Sequence, residues 1–543
     1  MNIAQARKCI IIKNEQEKTV FMYTAHERGC CMELISIIPG FQPKNDAALL
    51  RKAEALKPEL IYTDHDAPAA VWINGQKTEQ GAFWGGPLRR GDQAVLDFGR
   101  HLVGRLTLSL DAAGSHQDAP AYIRVEMMET QGEMEEKAEA YDGWLSRSWI
   151  QQEQMHVDLL PAELCLPRRY AFRYVRLTVL DTSPKFQVKL RGAKCRAESA
   201  ADWKRLPARS FSDPELQSIY EASLLTLAEC TQTVLEDGPK RDQRLWLGDL
   251  RLQALTTYVS FRNEDLVKRC LYLFAGSRFP DGRMSANVFE KPEPAADDTY
   301  LLDYALLFPV ALRDYMEQTG DREALGDLLA PALEQIASVL AHYTDGEGVL
   351  LPEAGQTGFI DWSDCLDKTA SLQGVLICAL DAAATLCDMD GDQEKARHYA
   401  RLAADSRQAA FRRFWNEKEG CFLSGGQRSI HSQVWMTLAG LMPEGKAGDA
   451  FDKALSQPGA PSMATPYMHH YYVMALLKSG LKSRAEKHLK SYWGGMLRAG
   501  ADTFWECFDP GDPGASPYGG RIVNSFCHAW SCTPAFIIER YFT

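Results

Sequence analysis

The sequence predicts a multidomain chain in which an N-terminal antiparallel β-sandwich precedes an all-helical domain. Three observations carry this prediction. The chain has 543 residues, whereas a single hydrophobic core stops growing at roughly 250–300 residues. Apolar and polar residues alternate through much of the segment from Val71 to Cys195. After Pro207 the apolar residues recur at helical spacing instead.

The alternating runs predict the strands of the sandwich. Residues 106–110 and 186–190 alternate strictly, and residues 169–180 are rich in Tyr, Phe and Val. Runs of this kind, bounded by Gly, Pro, Asp and Ser, are typical of half-buried antiparallel strands. We therefore expect the sandwich at residues 61–200. The pattern leaves the fold of residues 1–60 uncertain, and we expect them to pack on the sandwich.

The helical domain is expected at residues 205–543. Ser212-Asp213-Pro214 has the pattern of a helix start, with a capping side chain ahead of an early proline. About eleven helical segments follow. Helix pairs in such a number must bury their apolar faces, either in a closed toroid or in an open solenoid. The sequence has no repeat of fixed period, which favours the closed form.

Composition narrows the choice of partners. The formal net charge is −12 without a basic stripe, which argues against nucleic acid and membrane surfaces as partners. The 14 cysteines form no Cys-x-x-Cys pair, so we expect reduced thiols, no metal and no cofactor. No apolar run approaches the ~20 residues of a membrane helix, and the N-terminus lacks a signal sequence. We expect a cytoplasmic protein with a small-molecule substrate, and a homo-oligomer stays open.

The densest polar segment of the helical half runs from Glu236 to Asp249 and contains four acids, three basic residues and a tryptophan. Gly238-Pro239 breaks a helix, so the acids are expected on a loop, with Asp249 capping a helix from Leu250. Carboxylates and arginines that bond hydroxyl groups, beside an indole that covers an apolar sugar face, are the parts of a sugar site. A capped, solvated loop between helices fits the spacing equally well.

Three further segments carry candidate residues. Glu506 follows Trp505 in an apolar setting that would desolvate its carboxylate, although a solvent-facing turn has the same pattern. His528, expected at a helix start, is either a core or capping residue or a ligand-binding one. Asp361, beside Trp362, is either a binder of hydroxyl groups or an acid favoured by the dipole of the next helix.

In this order the segments resemble the bacterial α-L-rhamnosidases of glycoside hydrolase family 78. Residues 237–249 match the family's loop pattern Asp-x-Pro-x-Arg-Glu-x-Arg-x-Trp-x-Gly-Asp at nearly every fixed position. Residues 500–506 match its later motif, Gly-Ala-x-Thr-x-Trp-Glu. Together the two motifs are specific, whereas either one alone is moderately so. Further similar segments are residues 97–104, 174–176, 492–496 and 524–530.

The resemblance implies an (α/α)6 barrel flanked by β-sandwiches, and inverting hydrolysis of a terminal α-L-rhamnosyl bond in a small glycoside or oligosaccharide. By position it implies Asp242 as the general acid and Glu506 as the general base. Asp237, Arg241 and Asp249 fall on positions that bind the sugar hydroxyls. The other substrate-binding residues that we predict are Trp246, Asp361, Trp362, Trp505 and His528.

Two features depart from the family pattern. Residue 242 is Asp where the family has Glu, so its carboxyl lies one methylene closer to the backbone. An inverting pair needs carboxyl groups about 6.5–9.5 Å apart, and an uncompensated shift of about 1 Å could lower the rate a hundredfold. A backbone adjustment, a deeper leaving group, another acid such as Glu236 or a different sugar would each accommodate the change. The family also commonly carries a β-sandwich after the barrel, and we expect any leaving-group contacts from it to be missing.

Two alternatives to a rhamnosidase follow. The first is a helical-barrel hydrolase for another terminal sugar, such as a different deoxyhexose or a uronic acid, whose carboxylate Lys240, Arg241 or Arg244 could bind. The second is a sugar-binding relative that has lost its catalytic acid. A panel of aryl glycosides distinguishes a rhamnosidase from a hydrolase of another terminal sugar. Binding without turnover would identify the sugar-binding relative.

Overall fold

The computed structural model describes residues 10–13, 20–23, 35–78, 87–114, 120–363 and 365–543. The chain divides into two compact units. We call one the sheet unit, which consists of residues 58–243 and 493–532, and the other the helical unit, which consists of residues 1–57, 244–492 and 533–543. Much of the segment 1–60, whose fold the sequence left uncertain, lies outside the described residues.

Helices and strands are numbered in chain order. The α-helices are α1 (Ala47–Ala55), α2 (Pro214–Cys230), α3 (Leu247–Val259), α4 (Glu264–Gly276), α5 (Leu302–Thr319), α6 (Arg322–Tyr343), α7 (Thr369–Asp390), α8 (Gln393–Phe414), α9 (Ile430–Leu438), α10 (Ala447–Leu455), α11 (Pro466–Lys478), α12 (Lys482–Arg498) and α13 (Pro534–Tyr541). The strands are β1 (Ile10–Lys13), β2 (Val20–Tyr23), β3 (Ile35–Ile37), β4 (Lys44–Asn45), β5 (Ile61–His65), β6 (Ala70–Ile73), β7 (Gln76–Lys77), β8 (Gln93–Gly114), β9 (Ala121–Met128), β10 (Gln152–Val157), β11 (Ala162–Cys165), β12 (Tyr170–Asp181), β13 (Phe186–Ser199), β14 (Leu245–Trp246), β15 (Ser277–Arg278), β16 (Asn287–Phe289), β17 (Ala295–Ala296), β18 (Trp415–Asn416) and β19 (Cys421–Phe422).

The sheet unit is built on a nine-stranded antiparallel sheet. Its main path runs β10-β9-β12-β8-β13-β5, with β6 and β11 also paired to β8 and β7 paired to β6. The alternation that predicted the strands is present: Leu106, Leu108 and Leu110 are buried, whereas the residues between them are more exposed. Their side chains join one apolar core with Val125 and Phe172. The predicted antiparallel sheet is therefore confirmed.

The sheet unit also contains α2 and the loop that follows it. The predicted helix start is confirmed, because the Asp213 side chain accepts from the backbone N–H groups of Glu215 and Leu216. The hydroxyl of Thr226 on α2 accepts from the N–H of Phe504 at 2.8 Å. Secondary structure thus changes near residue 205 as expected, whereas the compact unit continues to Gln243 and resumes at Trp493.

The helical unit is a succession of helix pairs. Helix α3 packs on α5, α5 on α7, α7 on α9 and α9 on α11, while α13 packs on α3. The intervening helices pack on these, with α4 on α3, α6 on α5 and α7, α8 on α7, and α10 on α9. The predicted helical domain is therefore confirmed.

Residues 44–55 pack on elements of the helical unit, which corrects for this part of the chain the expectation that residues 1–60 pack on the sandwich. Strand β4 pairs with β15, and α1 packs on α4. The N–H of Asp46 donates to the carbonyl of Gly276 at 2.8 Å. The fully buried guanidinium of Arg269 donates to the carbonyl of Ala53. These polar contacts, together with the burial of Leu49, fix α1 to the helical unit.

Two predicted helix boundaries are wrong. His528 is expected at a helix start, but α13 begins at Pro534. The backbone N–H groups of His528 and Ala529 donate instead to the carbonyls of Phe504 and Asp237, at 2.9 and 2.7 Å, so they are not available to a helix. His528 accordingly lies on a loop before a short 3-10 turn. Helix α3 begins three residues before Leu250, which places Asp249 inside its first turn rather than at its cap.

Helices α6 and α7 are long and apolar enough to cross a membrane by length and composition. This corrects the expectation that no such segment exists. Within the helical unit, however, 50% of the apolar window of α6 and 78% of that of α7 are buried. Helix α7 packs on α5, α8 and α9. The larger buried fraction of α7 is that of a core helix, which needs the same apolar composition as a membrane span.

Candidate active site

Glu506 is the centre of a buried polar cluster in the sheet unit. Its carboxylate accepts from the Arg241 guanidinium on Oε2 and from the Tyr518 hydroxyl on Oε1. Its backbone N–H donates to the carbonyl of Ser525 at 3.0 Å, and its carbonyl accepts from the indole of Trp530 at 2.9 Å. The side chain is 6% exposed. Glu506 is therefore held at both its backbone and its carboxylate, and its orientation is fixed before any substrate binds.

Arg241 is held as a cation beside this carboxylate. Its Nε donates to the carbonyl of Val523 at 3.1 Å, and its guanidinium lies 4.3 Å from the centre of the Tyr518 ring. Burial alone would lower the pKa of Arg241, but the charge of Glu506 and the other acidic neighbours raise that pKa well above its ordinary value. Burial likewise raises the pKa of the Tyr518 hydroxyl, so this group donates to Glu506 as a neutral phenol.

Asp242 follows Arg241 in a strained turn. Its φ is +63° and that of Gln243 is +52°, both in the left-handed region, and the N–H of Gln243 closes the turn on the carbonyl of Gly238 at 3.2 Å. Asp is among the few residues that tolerate this region, and such strain often accompanies function. The Asp242 side chain is 19% exposed, more than the side chains of Arg241 or Glu506. Of these three, it is the group most open to a ligand.

The two acids flank one guanidinium. Asp242 Oδ1 lies 3.9 Å from Nη1 of Arg241, while Glu506 is bonded to Nη2. Since both carboxylates contact one small planar group, they lie no more than about 9 Å apart. This upper limit overlaps the range of about 6.5–9.5 Å over which an inverting pair works on either side of a sugar.

The loop that carries Asp237 and Asp242 is packed tightly against the segment after Asn524. A Cβ added to Gly238 would lie 2.8 Å from the Ser525 hydroxyl oxygen. The backbone carbonyl of Asp237 accepts from the N–H of Ala529 at 2.7 Å. The charge of the Asp237 side chain contributes to the raised pKa of Arg241. The structure thus brings Asp237, Arg241, Asp242 and Glu506 together, although 264 or more residues separate the first three from the fourth in the sequence.

A buried charge network, which the sequence did not reveal, fixes the same loop to the sheet. Lys240 forms ion pairs with Glu133 and, at 3.6 Å, with Glu129. Glu129 is also bonded to the His101 ring at 3.0 Å and accepts from the N–H of Phe526 at 2.8 Å. The partners lie far apart in the chain, so no local pattern could have indicated them. Through them the strands hold both segments of the Glu506 cluster.

This network should make stability depend on pH. Burial alone would lower the pKa of His101, but Cys527, Glu129 and Glu229 raise it to about 10. A cation with a raised folded pKa contributes stability that is complete below its ordinary value of 6.5 and is lost as the pH rises toward 10. We expect the free energy of unfolding to fall by up to about 1.4 kcal/mol per pH unit over this range. In His101→Gln, urea unfolding at pH 6.5 and 9 should show a flatter dependence, and an equal slope in both proteins would contradict this account.

Two further predicted residues in the sheet unit, Trp505 and His528, are buried beside the cluster. The Trp505 ring meets Phe508 and Phe526 edge to face, with centroids 5.6 and 5.0 Å apart. The His528 ring lies 4.4 Å from the ring of Trp530. The residues are 5% and 4% exposed. These contacts fix the segments on either side of Glu506, while direct contact of Trp505 or His528 with a sugar stays a prediction.

In the helical unit, the predicted apolar residues Trp246 and Trp362 belong to one aromatic cluster. The Trp246 ring meets Tyr304 edge to face at 6.4 Å, and Tyr304 meets Phe359 at 5.8 Å. Phe359 in turn meets Trp362 at 5.7 Å. Strand β14, which pairs with β16, positions Trp246. The cluster therefore joins three segments, at the start of α3, at the start of α5 and in the loop before α7.

Asp249 lies close to this cluster in the chain, in the first turn of α3. It is 2% exposed, and the helix dipole favours a negative charge there. The residue before it, Gly248, has no room for a side chain, because an added Cβ would lie 2.4 Å from the Tyr304 ring. The turn that presents Asp249 thus requires glycine at position 248.

Gly248→Ala is expected to destabilise the helical unit by about 1–3 kcal/mol through this clash, and to displace Tyr304. The matched control is Gly326→Ala on α6, where nothing lies within 4 Å of an added Cβ. That change should stabilise the protein by up to about 1 kcal/mol through helix propensity. Urea unfolding of both variants checks the pair. A Gly248→Ala protein as stable as the wild type would show that the Tyr304 ring moves without cost.

Asp361 accepts four hydrogen bonds from the protein. Oδ1 accepts from the N–H of Trp362 at 2.9 Å and from the Thr465 hydroxyl at 2.6 Å. Oδ2 accepts from the N–H of Ala464 at 2.8 Å and is bonded to the His431 ring at 2.9 Å. A carboxylate offers about four acceptor positions, so the protein itself fills those of Asp361. The residue ties the loop before α7 to α9 and to the start of α11.

Over the part of the chain that the structure describes, no group of three or more His, Cys, Asp and Glu side chains is arranged to hold a metal ion. The side chains of the Glu506 cluster offer the chemistry of carboxylates beside a fixed cation. Such an arrangement can donate a proton, accept one and stabilise a developing positive charge.

Comparison with known proteins agrees with this chemistry. Residues 60–197 match the glycosyl hydrolase family 78 α-rhamnosidase N-terminal domain. Residues 208–541 match the bacterial α-L-rhamnosidase 6 hairpin glycosidase domain. A rhamnosidase from Klebsiella oxytoca, solved with rhamnose bound, is 41% identical with a TM-score of 0.88, and the match covers 92% of this chain and all of that one.

Two further proteins are less similar to this chain. The family 78 rhamnosidase of Bacillus sp. GL1 is 22% identical with a TM-score of 0.70, over 82% of this chain and 46% of that one, and shows the fold alone. N,N'-diacetylchitobiose phosphorylase of Vibrio proteolyticus is 25% identical over 201 residues, and the chain spans a quarter of that protein. The matched family domain covers more than half of this chain, and the Klebsiella enzyme is matched over its whole length. The chain therefore belongs to the bacterial α-L-rhamnosidases of glycoside hydrolase family 78 and is a glycosidase.

Proposed function

We propose that this glycosidase hydrolyses terminal α-L-rhamnosyl bonds with inversion of configuration, using Asp242 as the general acid and Glu506 as the general base. The observation that carries the proposal is the placement of both carboxylates on the single buried guanidinium of Arg241. The rhamnose in the solved Klebsiella relative supports the choice of sugar. The reaction needs no group beyond the side chains and water.

In the proposed reaction, Asp242 gives its proton to the glycosidic oxygen as the bond from that oxygen to the anomeric carbon breaks. Water attacks the anomeric carbon from the opposite face, and Glu506 takes the proton that this water loses. The products are free rhamnose and the alcohol. Exchange with solvent then restores the proton of Asp242 and the charge of Glu506. The greater exposure of Asp242 suits the group that meets the leaving alcohol.

The strained turn offers a reason for Asp in place of Glu at position 242. Asp tolerates the left-handed region better than Glu does, since its short side chain can bond locally. The turn at Asp242 and Gln243 redirects the carboxyl and is suited to offset the missing methylene. Glu236 is a poor substitute acid, because its carboxylate forms a two-point ion pair with Arg169, at 3.1 and 2.7 Å.

The other predicted residues take supporting roles in this proposal. Asp237 bonds the sugar hydroxyls and stabilises positive charge on the ring in the transition state. For Asp249, Trp246 and Trp362, which belong to the helical unit, contact with the sugar stays a prediction from the resemblance. Asp361, with its acceptor positions filled by protein donors, orients Trp362 through the N–H of that residue rather than binding a hydroxyl itself.

The proposal includes the finer fold that the family implies. We infer an (α/α)6 barrel at residues 205–543 and a β-sandwich at residues 61–200, which the stepwise packing of α3, α5, α7, α9 and α11 and the nine-stranded sheet support. We also infer that the enzyme works in the cytoplasm on small glycosides, and the free thiols of buried cysteines such as Cys195 and Cys230 support a reducing compartment.

The function is tested with a panel of 4-nitrophenyl glycosides. We expect release of nitrophenol from the α-L-rhamnoside at least a hundredfold faster, in kcat/KM, than from the α-L-fucoside, the α-D-mannoside or a β-D-glucuronide. Preference for the fucoside or the glucuronide would assign the site to another deoxyhexose or to a uronic acid. Binding of rhamnose without any turnover would identify a sugar-binding protein instead.

A further inference from the structure

The segment between β9 and β10 holds the loop that carries Tyr518, and both belong to the sheet unit. The Tyr141 hydroxyl donates to the backbone carbonyl of Tyr518 at 2.9 Å. The indole of Trp144 donates to the carbonyl of Pro517 at 3.1 Å, and its ring lies 5.4 Å from the ring of Tyr518. The two carbonyls that flank the Cα of Tyr518 are therefore both bonded to this segment.

The segment and the loop also fit closely against each other. A Cβ added to Gly143 would overlap the carbonyl oxygen of Tyr518, and one added to Gly519 would lie 2.9 Å from the Cα of Gly143. Gly519 has a φ of +87°, in the region that favours glycine. Beyond it, the Glu136 carboxylate accepts from the backbone N–H groups of residues 521 and 522, each at 3.0 Å. The segment thus sets the position of the loop on either side of Tyr518.

Tyr518 carries this position to the carboxylate of Glu506. Its hydroxyl donates to Oε1, while the Arg241 guanidinium donates to Oε2. The last torsion of a glutamate side chain is broad, so a single donor on one oxygen leaves the carboxylate plane free to turn. Donors on both oxygens fix that plane. The lone pairs that remain for a water molecule then point in one direction.

The direction of those lone pairs matters for catalysis. A general base must lie within hydrogen-bond reach of the proton that it takes, and a misplacement of about 1 Å can lower the rate about a hundredfold. Tyr518 is only 2% exposed, and the Arg241 guanidinium packs on its ring at 4.3 Å. In a close-packed interior the ring cannot turn away from the carboxylate without leaving a void. The contact with Glu506 is therefore a built part of the site.

We propose that residues 136–144 are a positioning element of the active site, which acts on Glu506 through Tyr518. The inference rests on the proposed function, because it takes Glu506 to be the general base. These residues lie in the matched N-terminal domain, whereas Tyr518 and Glu506 lie in the matched glycosidase domain. Part of the catalytic geometry is thus supplied from outside the glycosidase domain.

The test is a double-mutant cycle, measured with 4-nitrophenyl α-L-rhamnoside. Tyr518→Phe removes only the hydroxyl, and we expect kcat to fall about tenfold while KM changes less than about twofold. Tyr141→Phe releases the carbonyl of Tyr518 and should lower kcat about threefold, again with little change in KM. In the Glu506→Gln background neither change should lower kcat further by more than about twofold, because a residue that acts through the base has no effect once the base is absent.

Tyr170→Phe is the matched control. Tyr170 is a buried tyrosine of β12 in the same unit, and its hydroxyl donates to the Glu153 carboxylate at 2.8 Å. The change removes the same kind of hydrogen bond away from the Glu506 cluster. We expect it to lower Tm about as much as Tyr518→Phe does and to leave kcat within about twofold of the wild type. Circular dichroism at the assay temperature checks that each variant is folded.

The outcomes separate this inference from the proposed function. An unchanged kcat in Tyr518→Phe or in Tyr141→Phe would overturn the positioning role, and so would an equal loss with and without the carboxylate of Glu506. A loss as large in Tyr170→Phe would also overturn it, by showing that the effect is one of general stability. In all these cases Glu506 could still be the base. Full activity of Glu506→Gln would instead overturn the proposed function itself.

Discussion

Glu506→Gln is expected to lower kcat for an α-L-rhamnoside by about 10²–10⁴-fold, the usual contribution of a general base. The amide has the shape of the carboxylate but cannot take a proton from water. KM should change only a few-fold, because Asp237, which we propose binds the sugar hydroxyls, is untouched. Steady-state kinetics on the 4-nitrophenyl substrate measures both values.

This variant has a second effect that must be separated from the first. Glu506 is an ion-pair partner of the buried Arg241, and removing one member of a buried pair costs about 3–5 kcal/mol. Kinetics should therefore be recorded at a temperature at which circular dichroism shows the variant folded. Added azide, a nucleophile that needs no base, should restore part of the rate with the formation of a rhamnosyl azide. Retention of more than a tenth of kcat in the folded variant would remove Glu506 from its assigned role.

Asp242→Asn is expected to have the next largest effect, and that effect should depend on the leaving group. A leaving alcohol of high pKa needs the proton of the acid, so we expect hydrolysis of a rhamnosyl disaccharide to fall by about 10²–10⁴-fold. A dinitrophenolate leaves without help, so hydrolysis of the dinitrophenyl rhamnoside should fall far less. Asn also tolerates the left-handed region, and the turn at position 242 should therefore persist.

Glu236→Gln is the matched control for Asp242, since residue 236 is another acid on the same loop. Its carboxylate is bound by Arg169, so we expect reduced stability but kcat within a few-fold of the wild type. If Glu236→Gln abolished hydrolysis of the disaccharide and Asp242→Asn did not, the acid would have to be reassigned to Glu236.

The sequence was sufficient where local pattern decides structure. Alternation placed the buried leucines of β8, and the Ser-Asp-Pro sequence before α2 identified its first turn. The local pattern predicted the wrong helix start where distant residues bond the same backbone groups. Residues 525–533 carry a helical spacing, yet the N–H groups of His528 and Ala529 are used by Phe504 and Asp237. The spacing of apolar residues contains no information about those partners.

The candidate site likewise contains residues that the sequence could identify and residues that it could not. Asp242 and Glu506 could be named because each lies in a motif of fixed spacing. Tyr518, which donates to Glu506, and the Lys240 network, which holds the loop, lie in no such motif. Asp361 was named as a candidate binder of hydroxyl groups, but three of the four protein donors on its carboxylate could not be foreseen, because they lie about 70 to 100 residues further along the chain.

The central claim is that Asp242 and Glu506 act on opposite faces of the sugar, and the configuration of the first product tests it most directly. Proton NMR during the first minutes of hydrolysis of 4-nitrophenyl α-L-rhamnoside, before mutarotation, identifies the rhamnose that is released first. An inverting site predicts the β-anomer, followed by slow appearance of the α-anomer. Initial release of α-L-rhamnose would mean that a carboxylate acts as a nucleophile, and would contradict the account.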